Sequence, residues 1–209
     1  MPSSDILERL QGGDRRSIGR AGEIVQEVLA DPSLFSTVFS GLLHDDRLVR
    51  MRAADVTEKV TAKIPALLQP YKRQLLYTIS KFPEKEIRWH VAQMLPRLKL
   101  TQSEQAMAVK ILLSYLEGQR GASPRLRTSQ KLARSRRRGR APLCVVSSGG
   151  ESSIVRTFSM QALSDLAARD LSLLPEVLPV IERLAGSGTP AMVSRGRMLL
   201  KKLRRLAAE

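Results

Sequence analysis

Residues 49–60 read Val-Arg-Met-Arg-Ala-Ala-Asp-Val-Thr-Glu-Lys-Val, and the spacing of their apolar side chains predicts a helix. The apolar anchor Val49 is followed by a small residue at +4, Ala53, and by valines at +7 and +11. Residues at these offsets lie on one face of an α-helix. We therefore expect residues 49–60 to form an amphipathic helix that buries this face.

The same spacing occurs five times along the chain, with anchors separated by 31, 38, 68 and 37 residues. The separations of 31, 38 and 37 residues are close to the length of a two-helix repeat, and the separation of 68 residues is longer by about one repeat. A recurring helix of this kind predicts an all-α array of stacked helices. The five sets are Ile18, Gly22, Val25 and Leu29; Val49, Ala53, Val56 and Val60; Ile87, Val91, Met94 and Leu98; Val155, Ser159, Ala162 and Leu166; and Met192, Gly196, Leu199 and Leu203.

A second apolar segment precedes each of the last four periodic helices, and residues 4–10 precede the first. We therefore expect about five helix pairs and almost no β structure. Asp46 is the predicted N-cap of the helix anchored by Val49, and Thr189 followed by Pro190 predicts an N-cap and a first-turn proline. The expected first helices of these four pairs span residues 33–43, 66–80, 103–117 and 173–185.

Residues 118–150 interrupt the fourth pair and have no helical period. They contain nine Lys or Arg and no Asp or Glu, so the chain's net charge of +15 falls to +6 without them. Such a composition cannot bury enough apolar surface to offset the entropy of ordering. We expect a disordered basic insertion between two parts of the helical array, at 1–117 and 151–209. Two interpretations stay open: a genuine loop, or an artefact of the gene model.

Length and composition predict a single intracellular domain. A chain of 209 residues can form one continuous core, and the single cysteine, Cys144, excludes an internal disulfide framework. No apolar run approaches the length of a membrane span, and the N-terminus lacks the features of a signal peptide. We expect a cytoplasmic protein, or a nuclear one if the basic run at 134–140 acts as an import signal.

Three segments resemble the second helix of HEAT repeats, namely residues 45–54, 86–95 and 153–163. The resemblance covers most of the chain outside the insertion and implies a right-handed α-α solenoid, with the helix that ends the chain as a cap. It says little about activity, because HEAT arrays serve many functions. Arg50, Arg88 and Arg156 each follow an anchor, and in HEAT arrays such an arginine usually ties adjacent repeats together. Gly19 and Val193 replace it in the terminal repeats.

The positions at +3, +6 and +10 from the last four anchors face away from the predicted core. In resembling solenoids the second helices line the concave side, so this ridge is the candidate surface for a protein partner, although a solvated helix face would look the same. The ridge comprises Arg52, Asp55 and Lys59; His90, Gln93 and Arg97; Phe158, Gln161 and Asp165; and Arg195, Met198 and Lys202. The residues predicted to bind the partner are Arg52, Lys59, Trp89, His90, Gln93, Arg97, Gln161 and Arg195.

Nucleic-acid binding is the alternative function, because clustered cations can contact phosphates without reading sequence. The insertion and the last helix would supply the contacts. The residues expected to make them are Arg134, Arg136, Arg137, Arg138, Arg140, Lys201, Lys202, Arg204 and Arg205.

Motifs for catalysis are absent from the sequence. Two histidines and one cysteine lack metal-ligand spacing, and no glycine-rich phosphate loop or nucleophile motif occurs. We therefore predict a non-enzymatic protein with no catalytic residue, metal or cofactor. Some DNA glycosylases for alkylated bases resemble HEAT arrays in fold, and the nearest counterpart of their site here is Trp89 with Asp55 or Asp165. This activity is the remote alternative.

Overall fold

The computed structural model describes residues 3–12, 17–117 and 152–208. Every regular element in these ranges is helical, and none is a strand, which confirms the all-α prediction for this part of the chain. The predicted insertion at 118–150 lies outside the described residues. In the same ranges, no helix combines the length and apolar character needed to cross a membrane.

Ten α-helices form the structure of the described ranges. Single 3-10 turns extend several of them. The helices are α1 (Ser3–Arg9), α2 (Ala21–Ala30), α3 (Phe35–Ser40), α4 (Arg47–Lys63), α5 (Lys72–Tyr77), α6 (Lys85–Met94), α7 (Gln102–Glu117), α8 (Ser153–Ala167), α9 (Leu174–Ser187) and α10 (Pro190–Leu206).

The helices pack in pairs and in a row. Helix α3 packs on α4, α7 on α8, and α9 on α10, so three of the about five predicted pairs are present. Helix α1 packs mainly on α3, and within the segment that precedes it α6 packs mainly on the 3-10 turn that follows α5. The second members also pack on one another in chain order, α2 on α4, α4 on α6, α6 on α8 and α8 on α10. We call these five helices the helix row. One continuous core of Leu, Ile, Val, Met and Ala side chains lies between the row and its partner helices.

The predicted anchors are buried in four of the five sets, those of α4, α6, α8 and α10. The first set is wrong, because Ile18 is 54 % exposed and precedes α2. Gly19 has a φ of +56°, a left-handed conformation that ends any continuous helix there. Helix α2 instead begins at Ala21 and buries Ala21, Ile24, Val25 and Val28.

Two predicted first helices are shorter than expected. The segment 66–80 forms a 3-10 stretch (Pro65–Tyr71), then α5, then a 3-10 turn (Ile79–Lys81). Pro70 lies within this segment and cannot donate the backbone hydrogen bond that an α-helix requires. The segment 33–43 is divided in the same way, with the 3-10 turn Gly41–Leu43 after α3.

The predicted caps differ in detail. The Asp46 side chain accepts a hydrogen bond from the Leu48 amide at 2.8 Å, which confirms it as the N-cap of α4. Thr189 precedes Pro190 at the start of α10, as predicted, but its side chain makes no capping hydrogen bond. The fixed φ of Pro190 suits the first turn without one.

Two of the three arginines that follow an anchor tie neighbouring elements together. Arg50 donates to the carbonyls of His44 (2.8 Å) and Asp45 (2.9 Å) and forms an ion pair with Glu84, just before α6. Arg88 donates to the Phe82 carbonyl at 2.9 Å, and its guanidinium lies 5.3 Å from the Tyr115 ring centroid. The buried Nε of Arg156 has no hydrogen-bond partner among the described residues.

Candidate binding groove

A groove of about 420 Å³ lies where α6, α8 and α10 of the helix row meet. Its apolar part consists of small side chains and one aromatic ring, contributed by α6, α8 and the turns that follow them. Because alanine and proline fill little volume, they leave open space between the helices that larger side chains would occupy. These residues are Ala92, Pro96, Phe158, Ala162 and Ala168. We call this site the inter-helix groove.

Polar side chains surround this apolar part. Three of them are cationic and one is a carboxylate, so the groove is mixed in charge with a positive excess. The groove can therefore offer apolar contact, hydrogen bonds and charge to the same occupant. The polar residues are Gln93, Arg97, Gln161, Asp165, Arg169 and Lys202.

A chain of hydrogen bonds crosses from α8 to α10. Arg195 donates to the Gln161 side-chain oxygen at 2.8 Å. The Gln161 amide nitrogen donates in turn to both oxygens of Asp165 at 3.0 Å. The Lys202 ammonium completes the chain at 3.1 Å from Asp165. These bonds hold the Gln161 and Asp165 side chains in fixed orientations beside the groove.

The other side of the groove is held by two arginines. Arg97 forms an ion pair with Glu58 of α4 and donates to the Thr61 hydroxyl at 3.0 Å, so it joins α4 to the turn after α6. Arg169, just after α8, donates to the Pro96 carbonyl. The arginine at 97 is thus neutralised by a carboxylate, whereas the arginine at 169 is bonded to a neutral oxygen.

Three of the predicted partner-binding residues come together here. Gln93, Arg97 and Gln161 line the inter-helix groove, and Arg195 reaches it through Gln161. Trp89 lies beside it, with its ring 5.7 Å from Phe158 in an edge-to-face arrangement. Lys59 lies on α4 and pairs with Asp55 at 2.7 Å, outside the groove lining.

Two predicted partner-binding residues are buried instead. Arg52 is 2 % exposed, and its guanidinium donates to the carbonyls of Leu10 (2.8 Å) and Gly12 (2.7 Å). The N-terminal segment covers this position on α4, so the arginine ties that segment to the helix row. His90 is 4 % exposed and packs against Trp89. Burial lowers the pKa of His90 to about 4.

The residues of the nucleic-acid alternative divide between two places. Lys201, Lys202, Arg204 and Arg205 are exposed on the last two turns of α10. Lys202 pairs with Asp165, and Arg204 pairs with Glu182 of α9 at 2.7 Å. The five arginines between 134 and 140 lie outside the described residues.

Asp55 and Asp165, the carboxylates of the glycosylase alternative, lie in different settings. Asp165 lines the inter-helix groove, whereas Asp55 pairs with Lys59 on α4. Over residues 3–12, 17–117 and 152–208, no group of three or more His, Cys, Asp or Glu is placed to hold a metal ion.

Sequence reasoning missed the small residues of the groove and Arg169. Ala92 and Ala168 fall at +5 and +13 from their anchors, outside the ridge offsets. Arg169 follows the end of α8, where helical offsets no longer apply. An alanine directly beside a ridge glutamine, as Ala92 is beside Gln93 and Ala162 beside Gln161, is the signal that could have found the groove.

In comparisons with known proteins, no family model, no curated protein and no solved structure matches this chain.

Proposed function

We propose that this protein is a non-enzymatic, HEAT-like scaffold that binds a protein partner in the inter-helix groove. One observation carries the proposal: the ridge positions at +6 and +10 on α6 and α8 line the same groove, together with the +10 position of α10. Side chains at equivalent positions of a repeated helix thus form one surface. Surfaces of this kind are what stacked helical arrays use for binding.

The chemistry of the inter-helix groove favours protein over nucleic acid. Protein interfaces combine an apolar centre with a polar rim, as the alanines and Phe158 do with the surrounding glutamines and charges. Asp165 pairs with Lys202 and Glu58 pairs with Arg97, so these two carboxylates are balanced by cations, and it is the apolar surface that favours a protein occupant.

The proposed architecture is a right-handed α-α solenoid of about five HEAT-like helix pairs. The packed pairs and the continuous helix row support it. A crystal structure would test this part of the proposal through the rotation between successive pairs. A constant right-handed rotation is expected, and an irregular bundle would contradict it.

Photo-crosslinking from the groove tests the scaffold proposal. A benzophenone amino acid would replace Gln161 in one version of the full chain and Lys110, exposed on α7 away from the groove, in a control version. Irradiation in cells of the natural host should give a discrete protein adduct from position 161 and none from position 110. Equal adducts from both positions, or nucleic-acid adducts from position 161, would contradict the proposal.

The second candidate function, nucleic-acid binding, is favoured by the four exposed cations at the end of α10. Its test is binding to a mixed DNA and RNA pool at two salt concentrations, with the full chain and with a chain that lacks residues 119–149. Phosphate contacts would make the affinity fall steeply with salt. Binding that survives the deletion would assign it to the helical body and would displace the protein-scaffold proposal.

The remote enzymatic candidate has a direct test. Purified protein would be incubated with alkylated DNA, and released bases would be measured. We expect no release. Release that disappears in Asp165→Asn, and not in Asp55→Asn, would instead identify the groove as a catalytic site.

A further inference from the structure

Two guanidinium groups beside the inter-helix groove are not neutralised. Arg169 donates to the Pro96 carbonyl, and Arg195 donates to the Gln161 side-chain oxygen at 2.8 Å. Both acceptors are neutral oxygens, and no carboxylate among the described residues pairs with either arginine. The other two cations of the site differ, because Arg97 pairs with Glu58 and Lys202 with Asp165.

The two arginine side chains lie on opposite sides of α8. Arg169 spans the gap between α8 and the turn after α6, and Arg195 spans the gap between α8 and α10. The apolar surface of Phe158, Ala162 and Ala168 lies on α8 and just after it. An occupant that crosses α8 therefore meets an apolar surface in the middle and one uncompensated positive charge on each side.

The cationic character continues from the groove along α10. Lys202 lines both the inter-helix groove and a second, mostly apolar concavity with Met198, Arg205 and Leu206. Met198 is 66 % exposed, a large apolar side chain surrounded by cations. The two concavities form one surface because they share Lys202.

We propose that the occupant of the inter-helix groove is an acidic protein segment that also carries apolar side chains. Its carboxylates pair with Arg169 and Arg195, and its apolar side chains contact Phe158 and the alanines between them. Guanidinium groups suit this role, because they can donate two parallel hydrogen bonds to one carboxylate. The inference rests on the proposed scaffold function and names the chemistry of the partner.

The width of the site sets the length of the segment. Neighbouring packed helices lie about 8–10 Å apart, so the path from α6 across α8 to α10 covers about 20 Å. An extended chain advances about 3.3 Å per residue, so about six residues span it. A short linear segment is therefore sufficient, and a whole folded domain is not required.

The test is selection from a library of random peptides displayed on phage, with the full chain as the target. The enriched peptides should carry net negative charge together with Leu, Phe or other apolar residues. The best peptide would then be titrated by calorimetry into the wild type, Arg195→Glu and Arg197→Glu. Arg197 lies two residues further along α10, on the flank nearer Arg204 and α9, so this variant makes the same charge change away from the groove.

Arg195→Glu should weaken peptide binding by roughly tenfold, because a like charge then faces the peptide carboxylates. Arg197→Glu should leave the affinity unchanged within about twofold, because dissolved salt screens the interaction between exposed charges that lie far apart. Peptides in which one Glu is replaced by Lys should regain affinity for Arg195→Glu. This rescue separates direct contact from a loss of folding. Arg169→Glu should repeat the loss from the other side of α8.

The outcomes distinguish this inference from the scaffold proposal. Enrichment of basic or neutral peptides, or no enrichment, overturns the inference that the occupant is acidic. In that case a crosslink from the groove to a protein would still support the scaffold proposal. An equal effect of Arg195→Glu and Arg197→Glu also overturns the inference. Oligo-dT binding that is lost in Arg195→Glu, with no peptide enriched, overturns both proposals in favour of nucleic acid.

Discussion

The backbone at Gly19 lies directly against the buried guanidinium of Arg52. Gly19 has a φ of +56°, and a Cβ atom added there would lie 2.9 Å from the Arg52 guanidinium carbon. Arg52 uses that space to reach the carbonyls of Leu10, Gly12 and Ser17. The glycine thus allows the buried arginine to hold the N-terminal segment on α4.

Gly19→Ala should destabilise the fold by about 1–2 kcal/mol, because an L-residue pays this cost in the left-handed region and its Cβ also meets Arg52. The control is Gly22→Ala, three residues further on in α2, where an added Cβ meets nothing within 4 Å. There alanine should leave stability unchanged or raise it by up to about 1 kcal/mol. Urea unfolding followed by circular dichroism measures both. Equal effects would contradict the proposed contact.

His90 makes stability depend on pH. Burial lowers its pKa to about 4 in the folded state, against 6.5 for an exposed histidine, and the nearby Asp55 carboxylate offsets only part of this. Lys59 and Arg97 add to the lowering and Glu86 opposes it. Because the unfolded chain takes up a proton first, stability falls as the pH drops from about 6.5 towards 4.

Between pH 7 and pH 5 the wild type should lose about 2 kcal/mol more unfolding free energy than His90→Gln. Urea titrations of both proteins at the two pH values measure this difference. The two proteins differ in stability at every pH, so the change with pH is the quantity to compare. Parallel pH profiles would show that His90 takes up its proton equally in the folded and unfolded states.

At the scale of elements, a partly buried ion pair strengthens the connection between α4 and the start of α6. Arg50 of α4 reaches Glu84, and the two side chains are 19 % and 9 % exposed. Burial raises the pKa of Glu84. The hydrogen bonds from Arg50 and from the residue's own backbone amide together lower the pKa by more than burial raises it, so the net pKa is below the usual value. The pair's contribution is therefore present above the usual glutamate pKa and is lost as the pH falls below it.

A double-mutant cycle with Arg50→Ala and Glu84→Ala should give a coupling of about 2 kcal/mol, as expected for contacting residues in a buried network. The control pair, Arg47 and Glu86, joins the same two helices at 3.3 Å but is more exposed. Its coupling should be about 0.5 kcal/mol or less. Similar couplings for the two pairs would mean that burial does not strengthen the link between these helices.

Periodicity predicted some elements well and others poorly. The second helices α4, α6, α8 and α10 have one face buried in a continuous core, so their apolar spacing is strict. The segments before α4 and α6 contain Gly41 and Pro70, and 3-10 turns replace part of each expected helix. Helix α2 starts three residues after Ile18, because backbone conformation at Gly19, which apolar spacing does not report, decides where it begins.

The inter-helix groove was predictable only in part, for geometric reasons. Five residues at the +6 and +10 offsets line the groove, namely Gln93, Arg97, Gln161, Asp165 and Lys202, because neighbouring helices of the row present equivalent positions to the same side, whereas Asp55, Lys59 and Met198 lie outside its lining. The +3 offset gave mixed results, because Arg52 and His90 are buried, whereas Phe158 lines the groove and Arg195 is exposed. Burial by the N-terminal segment is a long-range contact, so no local pattern could indicate it.

For the whole molecule, the body should fold without residues 119–149. Helices α7 and α8 on either side of the 118–150 segment pack directly on each other. Loop length adds only a slowly growing closure cost, so deletion should leave the melting temperature nearly unchanged. Thermal unfolding of both chains measures this. A drop beyond about 8 °C, or roughly 2 kcal/mol, would mean that the segment contributes to the packed body.

Trp89 gives the molecule a built-in optical reporter of its own groove. It is the sole tryptophan in the sequence, and it contacts both Phe158, which lines the inter-helix groove, and the buried His90. Selective excitation of its indole therefore samples one location in the native protein. Its emission spectrum can follow an occupant entering beside Phe158 or a proton reaching His90, without any attached label.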